Sequence, residues 1–408
     1  MARLTKQQLD ELMKKEGVDR LWSWSRVHCF QTSRFEYFLK YVVRAKEDRQ
    51  DCIYTVAGGL CHDIIERYYT GQIDYDNMIN EFEDGFLVAR DITRLKFDRN
   101  DEEKDERIGT KYYECLQHFF KNHKPLEYKP AIEKFIKIRV GNHLLNGYID
   151  CCFKDDEGNY HIVDWKSSSI YKGKKAEEEC GQLALYALGL HQAGVPLDKL
   201  RICWDFLKYC TIQYEQKNGQ VKTREVERSK IGESLKSNVK SWLKEFGYAD
   251  EMDSYLKLLL DTNNIEVLPE EVQQKYILSD CFVYVPVTQK LIDKWVDVVE
   301  TTIKDIVLRE KDYEETKNIK CFWDDEESVK AQSYYYATLC SYSPSKLLPY
   351  KEYLEKLEDQ KNNQGLFGGL LGDGVNPSND ASTSKDICDN SNKDNDELDL
   401  LLWLDDIL

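Results

Sequence analysis

The stretch "LNGYIDCCFKDDEGNYHIVDWKSSS" (145–169) decides the fold, because it holds two β-prone runs separated by the turn-forming residues DDEGN. Side chains alternate between the two faces of a strand, so Asp150 has a defined face on the first run. Asp164 and Lys166 share one face on the second run by the same rule. The sequence therefore predicts an antiparallel pair of strands that presents two carboxylates and one ammonium group.

Two neighbouring carboxylates repel each other, and a divalent cation between them relieves that repulsion. Hard oxygen ligands of this kind suit Mg²⁺ or Mn²⁺, and Lys166 would then hold or polarise the water that attacks phosphorus. The competing interpretation is an ordinary surface strand with a cross-strand salt bridge, which is the usual meaning of an isolated D-x-K. The hairpin alone leaves both interpretations open.

The rest of the chain predicts a small sheet inside a helical shell, which is a mixed α/β (α+β) fold. Residues 133–140 read as a further strand that makes an antiparallel meander with the hairpin, and 200–216 read as more strands. Residues 174–194 have the apolar spacing of a helix. Predicted domains are an N-terminal helical region, an α/β core, a C-terminal helical region that is helical from 229 to 310, and a disordered acidic tail, with the boundaries 1–130, 131–228, 229–360 and 361–408.

Composition restricts the function. The 408 residues carry a formal charge of −17, and from Asp373 onward ten acidic residues against two lysines contribute −8, so the remainder carries −9. Nucleic acid would therefore need a local basic surface. The thirteen cysteines include no C-x-x-C pair, and neither a leader nor a membrane-length apolar run is visible. We expect a cytoplasmic protein (host cytoplasm if phage-encoded) with reduced thiols and no membrane partner.

Two helical segments and one strand add polar residues that could join the hairpin. His62 and Glu66 follow Gly58 at intervals of four, so all three lie on one stripe of a helix. Gln182 and Tyr186 are also four apart, on the helix that follows the hairpin. Each pair has an ordinary structural explanation, either an exposed His–Glu pair or a half-buried tyrosine beside a neutral polar group. A further candidate is Glu133, at the start of the first strand.

In this order, "GGLCH" (58–62), "GYID" (147–150), "VDWKSS" (163–168) and "QLALY" (182–186) resemble the RecB-type branch of the PD-(D/E)XK nuclease superfamily. That branch includes recombination, CRISPR-adaptation and phage exonucleases. The N-terminal "WSWSRVHCFQTSRFEYFLKYV" is also similar to the opening of many such proteins. The resemblance covers about residues 25–190 and implies a restriction-endonuclease-like core of a small mixed sheet flanked by helices.

The resemblance implies a role for each matching residue. Metal ligands would be His62, Asp150, Asp164 and the backbone carbonyl of Trp165. Lys166 would be the catalytic lysine, acting with the two aspartates, while Gln182 and Tyr186 would position it or the phosphate. Less firmly matched as metal or supporting residues are Glu66 and Glu133. Phosphate would be bound by Ser167 and Ser168, and the basic loop beside them adds Lys172, Lys174 and Lys175 as a path for DNA, with Tyr171 available for stacking.

Many of these relatives hold an iron–sulfur cluster through one N-terminal and three C-terminal cysteines. Cys29 fits the first position, but Cys321 and Cys340 lack a third partner, because Ala337 stands where the C-x-x-C step needs a cysteine. We therefore expect Mg²⁺ or Mn²⁺ and no iron–sulfur cluster.

The acidic, apolar terminus "DELDLLLWLDDIL" predicts a docking motif for a protein partner, such as a single-strand-binding protein or a recombination or replication factor. An autoinhibitory tail that occupies the DNA groove is the other possibility. The chain as a whole predicts a metal-dependent deoxyribonuclease, more readily an exonuclease than an endonuclease, in recombination, repair or phage DNA metabolism. The alternative is a catalytically silent nucleic-acid-binding or assembly protein on the same scaffold.

Overall fold

A computed structural model describes residues 3–347, 350, 352, 354–356, 358 and 359. The predicted tail at 361–408, with its docking motif, lies outside the described residues. Within the described part of the chain, no helix has both the length and the apolar character needed to cross a membrane.

One mixed sheet of seven strands organises the described residues, with β3, β4 and β5 at its centre. The strands run in the order β1-β3-β4-β5-β6, while β2 pairs with β3 and β7 pairs with β5. Pairing is antiparallel except between β1 and β3 and between β4 and β5. The strand bounds are β1 (Leu21–Trp22), β2 (Ala131–Val140), β3 (His143–Lys154), β4 (Tyr160–Lys166), β5 (Leu200–Glu215), β6 (Val221–Glu227) and β7 (Tyr276–Val285).

Helices cover both faces of the sheet, and further helices precede its first strand and follow its last strand in the chain. The α-helices are α1 (Lys6–Glu16), α2 (Trp24–Thr32), α3 (Arg34–Tyr37), α4 (Ile53–Tyr69), α5 (Tyr75–Leu87), α6 (Glu102–Asn122), α7 (Lys174–Glu179), α8 (Gly181–Gln192), α9 (Ile231–Glu245), α10 (Met252–Thr262), α11 (Glu270–Gln273), α12 (Gln289–Thr316), α13 (Glu326–Ala331) and α14 (Pro344–Leu347). Short π-helical segments occupy Phe38–Val42, Val88–Ile92 and Tyr335–Leu339, and 3₁₀ turns occupy Leu197–Lys199, Arg228–Lys230, Ile265–Val267 and Ile319–Phe322.

The alternation of side chains along β4 sets which helix layer each face contacts. Ile162 packs into one apolar layer with α8, which carries the chain over from β4 to the parallel strand β5. Val163 and Trp165 pack into the opposite layer with α4 and α6. Burying each large apolar side chain stabilises the fold by about 1.5–3 kcal/mol. The layers fix the hairpin from both sides, and the predicted mixed α/β fold with flanking helices is confirmed.

Two local predictions differ from the structure. Residues 276–285 form β7, although the surrounding stretch has helical periodicity. This run is rich in aromatic and β-branched residues, and it pairs with β5 along nearly its whole length. Residues 200–215 form one long strand, with an irregular register between Asp205 and Cys210, rather than several strands. Both β1 and β7 come from predicted terminal regions and join the central sheet, while the domain boundaries stay a prediction.

Candidate active site

The hairpin register brings the two predicted aspartates side by side. Cys151 pairs with Val163 in the antiparallel β3–β4 ladder, so the next position along places Asp150 beside Asp164. Both side chains are buried, with 9% and 3% of their surface exposed. Burial raises the pKa of Asp150 well above its usual value, and the charge of Asp164 raises it further. The pair therefore places two acidic groups side by side in a buried position.

Lys166 supplies the nearest positive charge. Its Nζ lies 2.7 Å from Asp164 Oδ2. Burial alone lowers the pKa of this ammonium group, but the charges of Asp164 and Asp150 outweigh burial and leave the pKa raised. Lys166 consequently keeps its proton at neutral pH and acts in this arrangement as a donor rather than as a base.

His62 projects from α4 toward the same strands. Its Nε2 lies 2.8 Å from the Trp165 carbonyl oxygen, and since a carbonyl only accepts, Nε2–H donates. Nδ1 then faces Asp150 Oδ2 at 3.5 Å. Burial lowers the pKa of His62, which favours the neutral ring. The structure thus brings together His62, Asp150 and the Trp165 carbonyl, as the resemblance implied.

Glu133 lies across from Asp150 at an irregular point of β2. The flanking pairs Ile132–Cys151 and Lys134–Ile149 bracket the two acids in the antiparallel ladder. Glu133 has a φ of 49°, a left-handed conformation that is uncommon and strained for a residue with a Cβ. Burial raises the pKa of Glu133, and the charge of Glu66 adds to the effect. Glu66 therefore lies close enough to Glu133 for the two charges to repel each other.

Gln182 and Tyr186 form a short hydrogen-bonded chain on α8. Gln182 Nε2 donates to the Tyr186 hydroxyl at 3.0 Å, and that hydroxyl donates to the Tyr148 carbonyl at 2.7 Å. A Cβ at Gly147 would lie 2.8 Å from the Tyr186 ring, so the glycine permits this close approach. Tyr186 therefore contacts Gln182 on α8 and the backbone of β3 at Gly147 and Tyr148, and these contacts hold α8 against β3.

An open cleft of about 580 Å³ gives access to these groups, and we call it the acidic cleft. Its lining includes Glu133, Asp150, Lys166, Gln182 and Tyr186. It also includes residues on and just before α2 that carried no predicted role, namely Ser23, Trp24, Ser25 and His28. The Trp24 and His28 rings stack with centroids 5.4 Å apart. Only the resemblance of the Ser- and Trp-rich entry to α2 had marked this segment.

The donors at the acidic cleft fit a divalent cation. Carboxylate and carbonyl oxygens suit Mg²⁺, and an imidazole nitrogen is also acceptable to Mn²⁺. Asp150 Oδ2 is buried and makes no hydrogen bond in the described part of the protein, so one oxygen is available. Among the described residues, however, no three His, Cys, Asp or Glu side chains converge into a ready-made metal site. An ion bound there would compete with Lys166 for Asp164 and with His62 for the Trp165 carbonyl oxygen.

Ser167 and Ser168, which were predicted to bind phosphate, do not line the acidic cleft. Ser167 and Ser168 line a second cleft of about 600 Å³, on the side of β4 that faces α4 and α6. A Cβ at Gly58 would lie 3.2 Å from Ser167 Oγ, so α4 approaches the strand end closely there. Tyr171 lines both clefts, and the two are therefore adjacent.

The basic loop after β4 is largely neutralised. Lys172 pairs with Glu225 at 2.7 Å, and Lys174 pairs with Glu178 at 2.9 Å. Lys175 instead lies over the Tyr171 ring, 4.9 Å from its centroid, and lines the second cleft. Of the three predicted lysines, only Lys175 therefore faces a cleft as a candidate phosphate contact.

The cysteines considered for a cluster are partly brought together. Burial raises the pKa of Cys29 and of Cys340. The nearby Cys340 thiol also contributes to the raised pKa of Cys29. Cys321 is held elsewhere, where its thiol donates to the Asn318 carbonyl at 3.0 Å. The expectation that no iron–sulfur cluster is bound stays a prediction.

Comparison with protein families gives one match of high coverage. The model of the PD-(D/E)XK nuclease superfamily matches residues 21–320, which contain every strand of the sheet and the whole acidic cleft apart from Arg3. A search of curated proteins returned no match. Members of the superfamily are generally metal-dependent nucleases. Because the match spans well over half of the chain, this protein belongs to the PD-(D/E)XK nuclease superfamily.

Proposed function

We propose that the protein is a Mg²⁺- or Mn²⁺-dependent deoxyribonuclease of the RecB-type branch, acting in the cytoplasm as an exonuclease in recombination, repair or phage DNA metabolism. The observation that carries the proposal is the buried pair Asp150–Asp164 with Lys166 Nζ 2.7 Å from Asp164, where Asp150 and Lys166 line the acidic cleft. A structural salt bridge would need only one carboxylate. A second one, with an oxygen that makes no hydrogen bond among the described residues, is explained by a ligand.

In this proposal the ion is held by His62, Asp150, Asp164 and the Trp165 carbonyl. A divalent cation there would supply positive charge against the phosphate oxygens and the leaving group. Lys166, which is protonated, donates a hydrogen bond to the attacking water or to a phosphate oxygen. Water attacks phosphorus as the P–O bond to the leaving oxygen breaks; the attacking water gives one proton to solvent, and the leaving oxygen takes one proton from solvent.

The α8 chain contributes by positioning. Tyr186 is fixed by its bonds to the Tyr148 carbonyl and to Gln182, so Gln182 is held at the cleft wall with a restricted set of rotamers. A polar group that is pre-oriented in this way costs little reorganisation when phosphate enters. We therefore assign Gln182 and Tyr186 to positioning rather than to proton transfer.

The test is a cleavage assay on end-labelled linear and circular DNA, single and double stranded, in Mg²⁺, Mn²⁺ or EDTA. Lys166→Ala should lower the rate by about 10²–10⁴-fold. The matched control is Lys236→Ala, an exposed lysine on α9. Cleavage of linear DNA without cleavage of circular DNA would support an exonuclease. Metal-independent cleavage, or full activity in Lys166→Ala, would overturn the proposal, and binding without any cleavage would favour the silent nucleic-acid-binding alternative.

A further inference from the structure

The second cleft has a composition that the proposed chemistry does not explain. We call it the serine cleft, and its lining includes Tyr54, Tyr112, Ser167, Tyr171, Lys175 and Lys208. These residues come from α4, α6, the loop after β4, α7 and β5. Tyr171 lines both clefts, so a nucleic-acid strand can extend from one cleft into the other. The serine cleft is open, with a lining of tyrosine and aliphatic side chains among which lysines outnumber acids, with only Glu227 opposing Lys111, Lys175 and Lys208.

Lys208 is the central feature of the serine cleft. It is half-buried on β5, and burial lowers its pKa. No carboxylate in the described part of the protein forms an ion pair with it, since Glu227 pairs with Lys111 at 2.7 Å. Lys208 Nζ lies over the Tyr112 ring, 5.0 Å from its centroid, in a cation–π contact. A half-buried ammonium group is partly desolvated, the charge of Glu227 offsets only part of that cost, and an anion in the cleft would offset more.

Tyr112 provides an independent indication of a ligand. This residue is 2% exposed and lines the cleft, yet its hydroxyl makes no hydrogen bond in the described part of the chain. Burial raises the pKa of Tyr112, and the nearby Ser167 side chain opposes that effect. Buried hydroxyl groups normally have a partner. The Tyr112 and Ser167 side chains and Lys208 all belong to the cleft lining, and together they supply donors for the oxygens of a phosphate.

We propose that the serine cleft binds a phosphate group of the same nucleic-acid strand whose neighbouring phosphodiester occupies the acidic cleft. The inference rests on the proposed nuclease function and adds a second contact to it. Lys208, Tyr112 and Ser167 donate to the phosphate oxygens. Tyr171 lines both clefts and so marks the path between them. The cavity volume of about 600 Å³ is enough for one nucleotide, and a single strand is therefore the proposed ligand.

The experiment measures binding of an internally labelled single-stranded DNA oligonucleotide to the full chain in EDTA, by fluorescence anisotropy over a range of salt. Lys208→Gln should raise Kd on the order of tenfold and reduce the slope of log K against log salt by about 0.7. Lys208→Arg keeps the charge and should restore most of the affinity. Tyr112→Phe, which deletes only the hydroxyl, should raise Kd about threefold without changing the salt slope.

Substrate arms identify the source of the phosphate. An effect of Lys208→Gln that is confined to oligonucleotides with a terminal phosphate would assign the cleft to a strand end. The same effect on circular single strands would assign it to an internal phosphodiester, and both results support the proposal. The control is Lys236→Gln, which should bind as the wild type does.

The proposal is overturned if Lys208→Gln matches the wild type in Kd and in salt slope, or if the wild type does not bind single strands. Failure of the nuclease assignment has a different signature, because it would leave Lys208-dependent binding intact while Mg²⁺ and Mn²⁺ produce no cleavage. Thermal melting of each variant beside the wild type identifies any loss of binding that is due to misfolding.

Discussion

The sheet carries two groups of buried carboxylates that differ in how their charge is balanced. At one group, Arg228 Nη2 lies 2.5 Å from Asp280 Oδ1 and His123 Nδ1 lies 2.8 Å from Asp280 Oδ2. Burial alone would raise the pKa of Asp280, but these two partners leave it lowered. At the other group, Asp150 has a raised pKa and no hydrogen bond to Oδ2 in the described residues.

The comparison separates burial that the fold compensates from burial that it leaves uncompensated. Asp280 has a donor for each oxygen, so its charge is stabilised within the fold. Asp150 lies beside Asp164 and Glu133, so its charge is opposed by these neighbours. Groups with strongly perturbed pKa values cluster at functional sites, and Asp205, near Asp280, shows that a buried acid without a hydrogen-bond partner also occurs elsewhere in the described sheet. The same residue type at similar burial therefore stabilises the fold in one place and is held at a cost in the other.

The largest expected effect is at the balanced group. Asp280→Ala should lower the free energy of unfolding by about 3–5 kcal/mol, because it leaves the buried Arg228 without its anion. Chemical denaturation in EDTA measures this. Asp261→Ala on exposed α10 is the control for loss of a surface aspartate, with a change of about 0.5 kcal/mol or less. A loss of less than about 1 kcal/mol in Asp280→Ala would erase the distinction between the two groups.

The opposite sign is expected at the active-site group. Asp150→Asn should raise the free energy of unfolding by about 1–2 kcal/mol in EDTA, because a neutral amide removes the repulsion with Asp164. The same variant should lose cleavage activity. Saturating Mg²⁺ or Mn²⁺ provides the internal control, since a ligand that binds the folded wild type should cancel or reverse the difference. Destabilisation of Asp150→Asn in EDTA would contradict the comparison.

The functional half of this comparison could be predicted from the sequence, because its signal is local. Asp150, Asp164 and Lys166 lie in two adjacent strands, and the alternation of side chains places them on one face. Local periodicity also located α8, and with it Gln182 and Tyr186. The expected antiparallel meander of β2, β3 and β4 is confirmed. Short turns connect these strands, so their pairing is local in sequence.

What the sequence did not predict depends on pairing over long distances. β7 joins the sheet only by pairing with β5, more than sixty residues earlier, and its run lies between helices. The serine cleft combines Tyr112 of α6 with Lys208 of β5, and no motif links them. Arg228 and Asp280 meet in the same way. Side chains from distant elements come together through the sheet order, which hydrophobic patterns of single segments do not specify.

The third prediction tests whether charge balance at Asp280 extends outward to His118. The His118 Nδ1 lies 3.2 Å from Arg228 Nη1, so it accepts a hydrogen bond and stays neutral. Burial and then the charge of Arg228 lower the pKa of His118 to about 4. Histidine in an unfolded chain has a pKa of about 6.5.

Because the folded pKa is the lower one, the stability that neutral His118 contributes is fully present above about pH 6.5 and is lost as pH falls toward about 4. His118→Gln keeps an acceptor for Arg228 but cannot titrate. Wild type should therefore lose about 3 kcal/mol more than the variant over this window, measured as the free energy of unfolding. His191→Gln, on α8, serves as the control for loss of a histidine. Parallel curves for wild type and His118→Gln would mean that Arg228 is balanced by Asp280 alone, and that His118 is free to take a proton without cost to the fold.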